Sequence, residues 1–217
     1  TTPGGHVSRY TDARTLEIYS AAAASVNQQL VAQLESLGVR AVGLAGPNVI
    51  AARRKAAIRA LHNGRQIIVR DDYSGTITGV DAELLRALQM AGRVPVVAPL
   101  AMGEAFERLN VDGDLAAAAI ARALKAQTLV ILSNVPGLLR EVSDPASLIP
   151  AFDLSELQRY EAYARGRMKK KLLAATQAGI GRTILADSRV PSPLDAALAG
   201  GGTHIHNEVA YAAATGD

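Results

Sequence analysis

The segment NVDGD at residues 110–114 gathers Asn110, Asp112 and Asp114 around a glycine, just ahead of an alanine-rich run. A carboxylate in such a place holds a lysine or Mg²⁺, and an amide anchors the polar head of a substrate. The same residue types also cap the orphan N–H groups of a helix start, so capping stands beside a binding role for Asp112 and Asp114. An EF-hand is excluded, because its ligand spacing and closing Glu are absent. GRMKKK at 166–171 sets three lysines at a helix start, the end where cations oppose the macrodipole. A polyanion such as the phosphates of ATP would compensate them; a solvated basic turn is the alternative. LSNVPGLL at 132–139 puts Asn134, Pro136 and Gly137 in a tight loop at a strand end, suited to contacting a nucleotide. SRYTD at 8–12 carries Arg9, whose guanidinium would grip a carboxylate through two parallel hydrogen bonds. No GxxxxGK[ST] loop and no strand-borne GxGxxG occurs, so neither P-loop nor dinucleotide-fingerprint chemistry is expected. His204 and His206 are read as part of a tail, and His6 and His62 have no evident partner.

These groups need strands and helices to hold them. Periodicity predicts helices over 16–37, 81–91, 115–124, 154–164 and 169–178, and strands over 41–44, 66–70, 76–80, 94–99, 128–135 and 182–187. Residues 51–62 read as a basic helical or irregular segment, followed by an Asn63-Gly64 hairpin turn. A polar interval is read between the 94–99 strand and the 115–124 helix. Continuous apolar strands alternating with helices imply an α/β fold with a largely parallel sheet covered on both faces.

The 217 residues are 49% hydrophobic and 20% charged, enough for one domain with a substantial core. A net charge of +3 is too mild, and aromatics at 4% with no Trp too few, to suggest nucleic-acid binding. There is no Cys, hence no disulfide framework, thiolate nucleophile or Cys-ligated metal. No apolar run is long enough to span a bilayer and no signal peptide is evident, so the expected location is cytoplasmic. The first residue is Thr, which suggests that the natural start is missing.

Taken in order, SRYTD, NVDGDLAAAAIA, LSNVPGLL and GRMKKK resemble the motifs of the amino acid kinase family. The spellings SRYTD, RDDYSGT, NVDGD and GRMKKK are similar to the branch that acts on amino acids attached to an acidic carrier protein, LysW. The resemblance implies a three-layer αβα sandwich with a mainly parallel central sheet. It also implies transfer of the ATP γ-phosphoryl group, with Mg²⁺, to the side-chain carboxylate of LysW-bound α-aminoadipate or glutamate. N-Acetylglutamate as acceptor is the related alternative, and a non-catalytic domain that binds nucleotide or carrier is another.

On that resemblance Arg9 holds the free α-carboxylate and Asn110 binds near the α-carbon substituents. Lys171 neutralises the transferring phosphoryl, and Asp114 orients the lysines. Ser133, Asn134 and Gly137 belong to the nucleotide site, and Asp112 has no assigned role. A carrier-facing surface is expected at Arg53, Arg54 and Lys55, with Arg59 and Arg65 nearby, and a homodimer is implied. One domain is expected over 1–217: the remainder of a substrate-binding lobe at 1–107, a nucleotide-binding lobe at 108–205 and a tail at 206–217. The family's leading K-x-G-G and H-G-G segments have no counterpart, so its first βα units are expected to be missing.

Overall fold

The computed structural model describes residues 10–62 and 65–210, with 58–62 and 65–67 described by their backbone only. The chain divides into two compact units, Thr1–Ala116 and Ala117–Asp217. Among the described residues no helix is long and apolar enough to cross a membrane.

The first unit opens with helix α1, Ala13–Ser36, which Asp12 starts by accepting the Thr15 N–H at 2.7 Å. The helix buries Leu16 and Ser20 and packs along strand β1, Ala41–Leu44. Gly43 permits that approach: a Cβ there would lie 2.3 Å from Asn27 Oδ1, while Asn27 Nδ2 donates to the Val96 carbonyl at 2.8 Å. Then come strands β2, Ile50–Arg54; β3, Ile58–His62; β4, Arg65–Val69; and β5, Gly75–Val80. Helix α2, Ala82–Met90, is capped by Asp81 and precedes β6, Val94–Val97, β7, Leu100–Met102, and β8, Arg108–Asn110. Strand β1 pairs with β6 in parallel, and a second sheet has the order β5-β2-β7-β8. Ile50, Ala52, Ala101 and Leu109 of that sheet are buried, as is Leu85 of α2.

The expectation of a helical or irregular 51–62 is corrected: the segment forms β2 and β3. Ile50 and Ala52 are buried while Ala51 and Arg53 are exposed, the period-two pattern of a half-buried strand. Alanine and arginine favour helices in isolation, but pairing with β5 and β7 decides the outcome. The turn at 63–64 lies outside the described residues, although β3 and β4 pair antiparallel on either side of it, from Ile58 with Val69 to His62 with Arg65. The interval read as polar holds β7 and β8, an antiparallel pair whose Leu100, Ala101 and Leu109 are buried.

Helix α3, Gly113–Leu124, leads to β9, Thr128–Ser133. Beyond lie β10, Ala151–Asp153; α4, Leu157–Glu161; α5, Met168–Ala178; β11, Arg182–Asp187; α6, Pro193–Leu198; and β12, Thr203–His206. The sheet order is β10-β12-β11-β9, with β9 parallel to β11 and β12 antiparallel to it. The single helix expected over 154–164 is instead a 3₁₀ turn capped by Asp153 and then the short α4, whose Tyr160 stacks on Phe152 at 4.5 Å. His204 and His206 lie in β12, not in a tail. The class is α/β as read from the sequence. The connection from β7 to β8 is too short for a crossover, and the two strands pair antiparallel as a hairpin.

Candidate active site

In the first unit, three segments singled out in the sequence meet. Thr11 follows Tyr10, Asp72 sits in the DDYSG turn between β4 and β5, and Asn110 ends β8. Asp72 is 1% exposed and Thr11 2%. The Asp72 carboxylate accepts the Thr11 N–H at 2.9 Å through one oxygen and the Ser74 N–H at 2.6 Å through the other. The Tyr73 N–H donates to the Thr11 carbonyl at 2.7 Å, and the Asn110 N–H to the Tyr73 carbonyl at 2.8 Å. The Asn110 side-chain amide donates to the Thr11 hydroxyl at 3.0 Å. A carboxylate stripped of water is costly unless its lone pairs are used, and backbone N–H groups use them here. Next to this junction the exposed Tyr10 hydroxyl donates to Asp71 at 2.5 Å, which pushes the phenol up to about 12. Arg9 lies outside the described residues.

The opening cluster splits by function. Asp112 Oδ1 accepts the N–H groups of Asp114 at 3.1 Å and Leu115 at 3.3 Å, so Asp112 is the N-cap of α3. Asp114 stands in the first turn of that helix, half-buried, where the helix dipole favours a carboxylate. Burial pushes the Tyr19 phenol up, and the Asp112 carboxylate adds to that shift.

The three basic residues expected to face a carrier have different surroundings. Arg53 is exposed and pairs with the exposed Glu104 at 3.0 Å. Arg54 is half-buried, donates to the Asp72 carbonyl at 2.9 Å, and lies 3.7 Å over the Tyr73 ring, a cation–π contact that braces the junction. Lys55 is exposed, and its N–H donates to the Ser74 carbonyl. The side chains of Arg59 and Arg65 lie outside the described residues.

In the second unit, parallel pairing sets Ser133 beside Asp187 at the carboxyl ends of β9 and β11, and the Ser188 N–H donates to the Ser133 carbonyl at 2.6 Å. Ligands collect at such strand ends in α/β folds. Asn134 is exposed, whereas Gly137 is buried. A Cβ on Gly137 would come within 2.5 Å of Thr203 Oγ1, so close packing requires the glycine. Helix α5 ends three residues before β11, packs on it and carries Lys169, Lys170 and Lys171 in its first turn. Lys169 is exposed, while Lys170 and Lys171 are half-buried. The N-cap residue, Arg167, makes no side-chain capping hydrogen bond.

Sequence reasoning missed two groups. Asp72 and Thr11 were visible only as polar letters in family-like spellings, since nothing local shows that residues 61 positions apart share a hydrogen bond. Asp187 and Arg189 form a bidentate pair at the end of β11, at 2.8 and 2.7 Å, which holds the Asp187 carboxyl down at about 2. An Asp closing an apolar strand with an Arg two residues on was the available signal.

A model of the amino acid kinase family matches residues 2–184. The [LysW]-aminoadipate kinase of Deinococcus radiodurans is 43% identical over 211 residues, covering 94% of this chain and 72% of that protein. The [LysW]-aminoadipate kinase of Thermus thermophilus is 42% identical over 213 residues, covering 94% and 79%. A putative [LysW]-aminoadipate/[LysW]-glutamate kinase from Pyrobaculum calidifontis is 41% identical, covering 96% and 80%. Among solved structures, N-acetylglutamate synthase from Neisseria gonorrhoeae superposes with a TM-score of 0.76 at 25% identity. That alignment takes in 92% of this chain, which spans 45% of the synthase chain. Giardia carbamate kinase superposes with a TM-score of 0.60 at 17% identity, covering 89% of this chain and 72% of that one, a likeness of fold. The chain belongs to the amino acid kinase family.

Proposed function

We propose that this protein is an ATP-dependent kinase that phosphorylates the side-chain carboxylate of α-aminoadipate carried on LysW. The observation that carries the reading is identity above 40% with two [LysW]-aminoadipate kinases across 94% of the chain. LysW-bound glutamate is a second acceptor, favoured by the double name of the Pyrobaculum relative. The two acceptors differ by one methylene, which a pocket discriminates weakly.

In the proposed reaction a carboxylate oxygen of the acceptor attacks the γ-phosphorus of ATP, the bond to the β,γ-bridging oxygen breaks, and ADP leaves with that electron pair. The product is an acyl phosphate. The carboxylate is already deprotonated near neutral pH, so no general base is required. Catalysis is then positioning and charge stabilisation. Arg9 holds the free α-carboxylate and Asn110 the neighbouring α-substituents. Lys171 neutralises the phosphoryl in flight, Asp114 orients the lysines, and Ser133, Asn134 and Gly137 shape the nucleotide loop. Mg²⁺ enters as the ATP complex, held by the phosphates. Arg53 and Lys55 draw in the acidic carrier, and the enzyme works as a cytoplasmic homodimer.

The test is ADP release coupled to a spectrophotometric readout, with MgATP and LysW-aminoadipate, LysW-glutamate or N-acetylglutamate offered separately. Turnover confined to the carrier-linked acceptors is expected. Turnover of N-acetylglutamate alone, or of none of the three, overturns the reading.

A further inference from the structure

We propose that Asp72 is a positioning residue for the acceptor site, acting through Thr11 on Asn110. The inference rests on the functional reading above and adds a residue to it. Asp72 is fully buried, and its two carboxylate oxygens each accept a backbone N–H, one from Thr11 and one from Ser74. An ionised carboxylate only accepts, so it serves two N–H donors at once, whereas an amide of the same size turns an NH₂ toward one of them. The carboxylate is therefore matched to holding the Thr11 main chain in one place.

Thr11 in turn orients the side chain read as a substrate contact. Its hydroxyl receives the Asn110 Nδ2 donor at 3.0 Å, and its carbonyl receives the Tyr73 N–H, whose own carbonyl receives the Asn110 N–H. Asn110 is thus fixed at backbone and side chain by groups that Asp72 anchors. The anchored Thr11 lies two residues after Arg9 in the chain. Fixing these groups before the acceptor arrives lowers the ordering cost of binding, which appears in the acceptor KM.

The experiment compares Asp72→Asn, Thr11→Val and Thr11→Ser with the wild type, measuring KM for LysW-aminoadipate, KM for MgATP, kcat and the melting temperature. Asp72→Asn and Thr11→Val are expected to raise the acceptor KM about tenfold or more, with the ATP KM held within about twofold. Thr11→Ser keeps the hydroxyl and is expected to recover most of the loss seen in Thr11→Val. Equal shifts in both KM values, an unchanged acceptor KM in folded Asp72→Asn, or Thr11→Ser as impaired as Thr11→Val overturns the positioning role. Should Asp72→Asn fail to fold, the two Thr11 variants decide the matter. A wild-type enzyme that turns over no acceptor overturns the functional reading itself, a result visible before any variant is made.

Discussion

The Thr203 hydroxyl occupies the space that a side chain on Gly137 would need. It accepts the Leu138 N–H at 2.8 Å and donates to the Ile149 carbonyl at 2.7 Å, and a Cβ on Gly137 would come within 2.5 Å of it. The glycine of the strand-end loop is thus required by packing within its own unit, whatever it also does for a nucleotide. Gly137→Ala is expected to destabilise the protein by about 1–3 kcal/mol through overpacking. Thr203→Val, which strands a buried N–H and a carbonyl, is expected to cost a similar amount, while Thr203→Ser costs less. Urea unfolding checks all three, and an Ala variant as stable as wild type would refute the packing argument.

Tyr10 supplies a pH prediction. Its phenol is raised to about 12, chiefly because it donates to Asp71, with partial desolvation and the charges of Asp71, Asp12 and Asp72 adding to the shift. Stability from this contact is complete below the unfolded value near 10 and is lost as pH climbs through about 12. Ultraviolet difference titration of wild type against Tyr10→Phe is expected to show one phenol ionising near 12. Asp71→Asn should return it toward 10; a Tyr10 that titrates normally in the wild type contradicts the contact.

In the reaction proposed above, Lys171→Met is expected to lower kcat about 10²- to 10³-fold, by removing the cation assigned to the transferring phosphoryl. The acceptor KM should change little. Asp114→Asn, in the orienting role proposed for it, is expected to lower kcat by a smaller factor. Single-turnover kinetics with saturating MgATP separates these effects from product release, and an active Lys171→Met would remove that residue from the mechanism.

The basic strand offers a split between docking and bracing. Arg53 and Lys55 are exposed, and the exposed pair of Arg53 with Glu104 contributes little to stability. The double variant Arg53→Ala, Lys55→Ala is expected to weaken binding of the carrier-linked acceptor at low salt and to flatten its salt dependence. Arg54→Met should instead lower the melting temperature, because it removes the stack on Tyr73 and the bond to the Asp72 carbonyl. Calorimetry over a salt series and thermal unfolding give the two readouts. An unaltered salt slope would mean that the carrier docks elsewhere.

Local pattern carried the sequence reading a long way. The apolar periods located α1, α2, α3 and α5, along with β1, β6, β9 and β11, because each buries one stripe or one continuous run and its spacing reports that directly. Four short motifs in order pointed to the family that a model matching residues 2–184 bears out. Even the choice between cap and site at NVDGD was framed by residue type, with Asp112 turning out to be the cap.

Tertiary structure decided what spacing does not encode. Residues 50–54 are rich in alanine and arginine, and only the neighbouring β5 and β7 make them a strand. Gly137 looked like a loop glycine, and only Thr203 gives it a steric reason. The junction of Thr11, Asp72 and Asn110 joins residues 61 and 99 positions apart, so no window of sequence contains it. A periodic pattern records which face of an element is apolar, whereas the partner of a buried polar group is chosen by how the chain closes on itself.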